Sequence, residues 1–289
     1  MRIRDRKGNE WEKENMQERC LEKLYRSVYG RLLLKPLVCP WVSKLGGFLL
    51  DTKISKIAIV PFIKKNEIDM TQYEGTKYRS YNEFFIRKIK EGCRSIAKEP
   101  YRLISPCDGK VSAYPIKKDG TFWIKHTKYT VESLTRSKKI AKKYEGGTLL
   151  ILRLTVDDYH RYCYPANGKK IRNYIIHGKF HTVNPIANDY YPIYKENTRE
   201  FTLLKTKEFG MILQMEVGAL LVGKIRNYKG KARVRKGEEK GRFEFGGSTI
   251  VLLLQKDKVK VDEDLIQNTK EGFETIVKLG EGIGKSYLA

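Results

Sequence analysis

The sequence predicts an α+β protein, with a helical, basic block over residues 1–90 and a β-rich barrel or sandwich domain over 91–289. Three observations lead there. Upstream of residue 90, apolar positions recur at helical spacing and prolines divide the pattern into short lengths. Downstream, short runs of Val, Ile and Leu alternate with Gly, Asn and Lys turns, the texture of many short strands. Long helices do not alternate with those runs, which argues against a doubly wound parallel sheet.

Taken in order, Trp11, Met16, Cys20, Leu24, Val28 and Leu32 fall near helical spacing among charged residues, and Leu33 and Leu34 widen the apolar face. An amphipathic helix is expected from Trp11 to Leu34. Pro36, Pro40 and Pro61 then break KPLVCPWVSKLGGFLLDTKISKIAIVPFIKKNEI into short helices joined by turns. Two readings of this block stand side by side: a layer packed on the main domain, or an interfacial foot. In the second, Trp41, Phe48 and Phe62 act as wedges and lysines meet lipid headgroups. YRSYNEFFIRKIK predicts a helix from Tyr81 to Ile89.

Strands are expected at Gly109 to Ser112, Thr148 to Leu154, Glu216 to Val222 and Ser248 to Leu254. YTVESLTRSKKIAKKYEGG supplies one short helix, and EDLIQNTKEGFETIVKLGEGIG a polar closing segment. One pattern occurs twice. Pro106-Cys107-Asp108-Gly109-Lys110-Val111 returns as Pro165-Ala166-Asn167-Gly168-Lys169-Lys170-Ile171, a Pro-x-Asx-Gly-Lys turn that reads as a pseudo-symmetric pair.

Composition narrows the classes. The chain has 289 residues, enough to bury a core without covalent staples. Cys20, Cys39, Cys93, Cys107 and Cys163 are odd in number and never form Cys-x-x-Cys, so neither a disulfide framework nor a structural zinc site is indicated. A reducing compartment fits. No apolar stretch reaches the roughly 18 residues of a membrane span, and MRIRDRKGNEWEKEN lacks a signal peptide's hydrophobic centre. Against 34 Asp and Glu stand 58 Lys and Arg, a formal charge of +24 that attracts polyanions. An anionic lipid leaflet and nucleic acid both qualify. A nucleic-acid-binding β-barrel would use the 18 tyrosines as stacking platforms, and it predicts an intact chain.

Four histidines are present. His160 lies in Asp157-Asp158-Tyr159-His160-Arg161-Tyr162-Cys163-Tyr164-Pro165, where titratable groups crowd just after an apolar run. His177 and His181 are four apart, the wrong spacing for a metal pair on a strand, so no metal is expected. No Walker loop, Gly-x-Ser-x-Gly elbow or dinucleotide fingerprint occurs. Near the C-terminus FEFGGSTIVLLL sets Gly246-Gly247-Ser248-Thr249 at the mouth of an apolar strand.

Together Tyr81-Asn82-Glu83-Phe84-Phe85-Ile86-Arg87, Ser105-Pro106-Cys107-Asp108-Gly109, Asp158-Tyr159-His160-Arg161 and Gly246-Gly247-Ser248-Thr249 form a specific pattern. From about Tyr78 to Leu254 the chain resembles the phosphatidylserine decarboxylases, pyruvoyl-dependent enzymes of phospholipid synthesis. The resemblance implies that the protein breaks its own Gly247–Ser248 bond. The Ser248 hydroxyl attacks the preceding carbonyl, the ester eliminates, and the dehydroalanine hydrolyses to a pyruvoyl group with loss of ammonia. Gly247 leaves its carbonyl unshielded, and the stiff strand after Ser248 holds the new terminus. Residues 1–247 become the large subunit and 248–289 the small one, which stays bound and completes the β-rich domain.

The resemblance further implies a Schiff base between the pyruvoyl ketone and the amine of phosphatidylserine, loss of CO2 and release of phosphatidylethanolamine. It gives Asp108 the task of orienting or polarising a base during self-cleavage, His160 that of proton transfer during decarboxylation, and Asp158 a supporting one. One departure stands out: many relatives carry a second histidine three residues after the first, where this chain has Cys163. Either Cys163 serves or another imidazole reaches in, and His181 is the candidate by elimination. The basic helical block then reads as a peripheral anchor to anionic membrane on the cytoplasmic face. Oligomeric state stays open, a homodimer included.

Overall fold

A computed structural model describes residues 2–12, 22–188, 190–219, 224–228, 232–244 and 248–287. Its strands, in chain order, are β1 (Arg2–Arg4), β2 (Glu10–Glu12), β3 (Arg102–Ile104), β4 (Gly109–Pro115), β5 (Thr121–Ile124), β6 (Thr127–Thr130), β7 (Thr148–Leu154), β8 (Arg161–Cys163) and β9 (Gly168–Ile176). They continue as β10 (Arg199–Lys205), β11 (Met211–Val217), β12 (Lys224–Asn227), β13 (Arg233–Val234), β14 (Glu239–Glu244), β15 (Ser248–Leu254), β16 (Val259–Val261), β17 (Glu274–Val277) and β18 (Gly282–Ser286). Ten of these form one sheet in the order β13-β9-β10-β11-β15-β7-β4-β17-β1-β2. The sheet is open, with β13 and β2 at its two edges, so the α+β class holds while a closed barrel does not form. Smaller sheets β12-β14-β8 and β16-β18-β3 and the hairpin β5-β6 complete the strands.

The runs TLLILRL and STIVLLL carry apolar residues on both faces because the large sheet is covered on both sides. Leu150, Leu152, Leu154, Ile250, Leu252 and Leu254 join one core cluster, with Tyr162, Phe243, Val259 and Ile283 from the small sheets. Leu149, Ile151, Val251 and Leu253 join a second, with Phe122, Tyr129 and Tyr194. Alternate residues of one strand thus feed opposite cores. β15 sits centrally, paired antiparallel with β11 and β7. Its five apolar side chains from Ile250 to Leu254 are all buried, each contributing about 1.5–3 kcal/mol. A chain starting at Ser248 would therefore stay in place without a covalent link upstream.

Among the described residues the N-terminal block is helical from position 22, and Trp11 lies outside the helix expected to begin there. Trp11 lies in β2, hydrogen-bonded antiparallel to β1; Met16 and Cys20 fall outside the described residues. Helices Val28–Leu37, Pro40–Asp51 and Ile59–Lys65 follow, the second opening on its proline as the missing N–H permits. The helix expected to reach Ile89 spans only Tyr81–Phe85 and is capped by Ser80 Oγ, which accepts from Glu83 N. Phe62 is no exposed wedge: it packs edge-on against Tyr81 and Phe84, within a cluster built on Ile59, Tyr81, Phe84 and Phe85. Trp41 and Phe48, by contrast, are 63% and 68% exposed.

The repeated turn is a reciprocal pair. Ile104 N donates to Pro165 O at 3.2 Å and Cys163 N donates to Pro106 O at 2.8 Å, so each turn is bonded two residues upstream of its partner's proline. Gly109 and Gly168 open β4 and β9, and a Cβ on either would lie 2.7 Å from a carbonyl oxygen of the neighbouring strand. Close strand approach, not a hairpin, explains the two glycines.

Candidate active site

Because β9, β10, β11, β15, β7 and β4 are consecutive antiparallel neighbours, the ends of β9, β11 and β7 and the starts of β10, β15 and β4 share one end of the sheet. Asp108 precedes β4, His160 follows β7, His181 follows β9 and Ser248 opens β15. The topology thus brings all four sequence candidates to one end, though not into one bonded cluster. Ser248 pairs with Leu154, where the loop carrying His160 begins. That loop ends where Phe243 N, on the strand leading toward Ser248, donates to His160 O at 2.9 Å.

Ser248 and Thr249 are fully buried and both hydroxyls lack a hydrogen-bond partner. An unsatisfied buried hydroxyl costs about 1–3 kcal/mol. By strand alternation Ser248 shares the face of Ile250 and Leu252, and Thr249 that of Val251 and Leu253.

His160 is also fully buried, its ring against Phe85 with centroids 4.0 Å apart. Its Nδ1 lies 2.9 Å from the Asp158 carbonyl oxygen. A carbonyl only accepts, so Nδ1 carries the proton and Nε2, which has no partner, keeps a free lone pair. Burial lowers the ring's pKa to about 4, the Asp158 charge only partly opposing it. The imidazole is neutral at pH 7.

The two carboxylates are clamped. Asp108 receives Arg94 Nε at 3.0 Å and Arg94 Nη2 at 2.6 Å, and Leu279 N at 2.8 Å. Asp158 accepts from Lys110 Nζ at 2.7 Å and from Thr155 N at 2.7 Å. Burial alone would raise the Asp158 carboxyl, but Lys110's charge and these hydrogen bonds outweigh it and hold the group far below the usual carboxylate range. Asp158 is a fixed anion, and the bonds to Arg94 and Leu279 hold the Asp108 side chain in one orientation. Cys163 is buried, and burial drives its thiol well above the ordinary value, so it stays protonated and is a weak stand-in for an imidazole.

His181 sits three strands from Ser248 in the sheet order, its ring stacked on Tyr191 with centroids 4.5 Å apart. Nδ1 is 3.5 Å from Tyr25 Oη and Nε2 is 3.5 Å from Glu196 Oε2. Burial lowers its pKa to about 4, partly offset by Glu196. Its backbone bonds to Asn197, whose Nδ2 donates to His181 O and to Gly218 O, both at 2.8 Å. Gly218 follows Val217, the residue paired with Thr249. Beside the His160 loop, a cleft of about 200 Å³ is lined by Lys88, Lys90, Arg94, Tyr159, Arg161 and Cys163, among others.

The neutral buried rings set an acid limit. An unfolded histidine takes its proton near pH 6.5, whereas His160 and His181 in the fold do so near 4. Between those values the unfolded chain binds more protons, so stability is present above pH 6.5 and is lost as pH falls toward 4. Each ring contributes up to about 1.4 kcal/mol per pH unit over that window. Urea midpoints at pH 7 and pH 5 should therefore differ, and replacing both histidines with glutamine should flatten the difference.

The family model described as phosphatidylserine decarboxylase matches residues 81–285. The chain belongs to the phosphatidylserine decarboxylase family. Phosphatidylserine decarboxylase proenzyme 2 of Clostridium acetobutylicum is 47% identical over 267 residues, covering 92% of this chain and 91% of the relative. Phosphatidylserine decarboxylase proenzymes of Ruminiclostridium cellulolyticum and Fusobacterium nucleatum are 42% and 40% identical, over 98% and 97% of this chain and 97% and 96% of theirs.

Within this family member the first motif supports the third: Phe85 packs at a tilt of 38° against His160, and Arg87 Nη2 donates to the Asp157 carbonyl at 3.4 Å. Sequence reasoning had singled out the motif but not that task. It missed Arg94 and Glu196 altogether, and it placed Lys110 only in the repeated turn. Arg94 is one basic residue among 58, and nothing local distinguishes it.

Proposed function

We propose that this chain cleaves itself between Gly247 and Ser248, converts Ser248 to a pyruvoyl group, and decarboxylates phosphatidylserine to phosphatidylethanolamine and CO2. The observation that carries the reading is the Ser248 hydroxyl, buried and unpartnered at the head of a central strand. Such a hydroxyl gains nothing for the fold and suits a group awaiting conversion. Residues 248–289 then remain as the small subunit, held by β11 and β7.

The residues around Ser248 fit a carbonyl group, which needs no proton donor of its own. Once formed, the pyruvoyl ketone supplies the electron sink for the carboxylate lost as CO2. The chain's own residues supply the rest. His160 presents Nε2 as a proton acceptor and relay, in the tautomer fixed by the Asp158 carbonyl and the plane set by Phe85. Asp158 and Lys110 lock that loop to β4. Asp108 ties the β4 turn to Arg94 and Leu279, ordering the base side of the maturation site. His181 acts through Asn197 on the Gly218 carbonyl beside β15, a positioning task. The cleft, in which Lys88 and Lys90 stand beside Glu91 and the Arg161–Glu239 pair, offers a route for a headgroup toward the His160 loop.

The helical block serves as a peripheral membrane foot on the cytoplasmic face. Tyr29, Leu33, Trp41, Phe48, Ile54 and Ile57 are exposed, interspersed in sequence with Arg31, Lys35, Lys53 and Lys56. No helix among the described residues is long and apolar enough to cross a membrane. Apolar wedges flanked by cations match a lipid surface bearing net negative charge. Vesicles containing phosphatidylserine should bind the protein and yield phosphatidylethanolamine and CO2. Raising salt should weaken binding, and the double variant Trp41→Ser, Phe48→Ser should weaken it about tenfold or more. Equal binding to neutral vesicles would remove the electrostatic part, and absence of CO2 from a cleaved protein would remove the activity.

A further inference from the structure

An ion pair lies inside the core beneath Ser248. Glu216 of β11 and Lys240 of β14 are each at least 99% buried, with Lys240 Nζ 2.6 Å from Glu216 Oε2. Asn227 of β12 bridges them: its Nδ2 donates to Glu216 Oε2 at 3.0 Å and its Oδ1 accepts from Lys240 Nζ at 2.7 Å. Glu216 Oε1 has no partner. One step along the same strand face, Gln214 Nε2 donates to the Cys163 carbonyl at 3.2 Å while its Oε1 is also unpartnered. On an otherwise apolar face, β11 thus carries a polar stripe that ends beside β15.

Register fixes where that stripe points. Glu216 lies directly opposite Ile250, and Ser248 is two residues before Ile250 on the same face. Residues so related across an antiparallel pair are diagonal neighbours about 7–8 Å apart, within reach of a long side chain. Two residues that each carry a buried oxygen without a partner, one a carboxylate and one a hydroxyl, are therefore diagonal neighbours in the sheet. Stability does not account for the pair, because a buried salt bridge is commonly matched or bettered by apolar residues of equal volume.

We propose that Glu216 is the proton acceptor for Ser248 in self-cleavage, in the role that the thiol of Cys163 fills poorly, and that Lys240 holds it in place. The inference rests on the maturation reading given above. As Ser248 Oγ bonds the carbonyl carbon of the preceding residue, its proton passes to Glu216 Oε1. The peptide C–N bond then breaks, and the freed nitrogen takes that proton, leaving an ester and an amine with no net proton change. Burial, only partly opposed by Lys240, raises the Glu216 carboxyl and so strengthens it as a base. The charged and titratable groups facing it are Lys240, Tyr162, Tyr164 and Cys107, with Glu200 directly opposite on β10.

The test follows self-cleavage of the full chain by intact mass after cell-free synthesis, at a series of pH values. Glu216→Leu with Lys240→Met replaces the pair by apolar groups and should leave thermal unfolding unchanged or raised. Its cleavage should slow by about a hundredfold or more, and the loss of rate toward acid pH seen in the parent should vanish. Glu216→Asp keeps the charge balance but withdraws the carboxylate by one methylene, so cleavage should slow about tenfold with the acid limb retained. Cleavage at the parental rate in either variant overturns the proposal. A parent chain that never cleaves instead overturns the maturation reading, and this inference with it.

Discussion

Replacing Ser248 with alanine is expected to leave one unbroken, inactive polypeptide. The parent protein should give two species by intact mass, the smaller beginning at position 248 and lacking the mass of an amine. The Ser248→Ala chain should give one, with no CO2 released from phosphatidylserine. The fold should not suffer, because Ser248 Oγ makes no hydrogen bond and its removal relieves an unsatisfied buried group. Thermal unfolding of Ser248→Ala should match the uncleaved parent or exceed it. Cleavage that persists in this variant would break the maturation reading at its origin, since no other nucleophile opens β15.

Replacing His160 with glutamine should separate the two chemistries. Self-cleavage should persist, because the ring's free nitrogen is assigned to the later proton transfer, while decarboxylation should fall by about 10²- to 10⁴-fold. The loss should appear in kcat and not in KM, since the ring contributes to a step and not to holding the lipid. A parent pH profile should fall on its acid side as the ring protonates near 4. Phe85→Leu, which removes the tilted ring contact at 4.0 Å but keeps an apolar group there, should cost less and leave the profile's shape intact. Unchanged turnover in His160→Gln would pass the proton transfer to another group.

Reading from sequence succeeded where chemistry is local. The apolar runs Thr148 to Leu154 and Ser248 to Leu254 declared buried strands, and both do lie between two covered faces. The repeated Pro-x-Asx-Gly-Lys turn announced a pair, and the reciprocal bonds between Ile104, Pro165, Cys163 and Pro106 bear that out. Reading failed where periodicity carries two meanings. Trp11 fits a helical stripe on paper, yet pairing with Ile3 across β1 and β2 places it in a strand. Phe62 looks like any exposed aromatic until Tyr81 and Phe84 close over it.

By itself the sequence determined the α+β class, the strand-rich C-terminal part, the candidate Ser248 and its three accompanying motifs, and the departure at Cys163. All of these depend on turn chemistry, side-chain period and residue type within a dozen positions. Tertiary structure alone decided that the sheet is open, that Arg94 and Lys110 clamp the two aspartates, that Phe85 sets the plane of His160, and that Glu216 lies diagonal to Ser248. Those contacts join residues remote in the chain, and they are fixed by strand order and register, which minimise exposed apolar area over the whole fold and leave no mark on any short stretch.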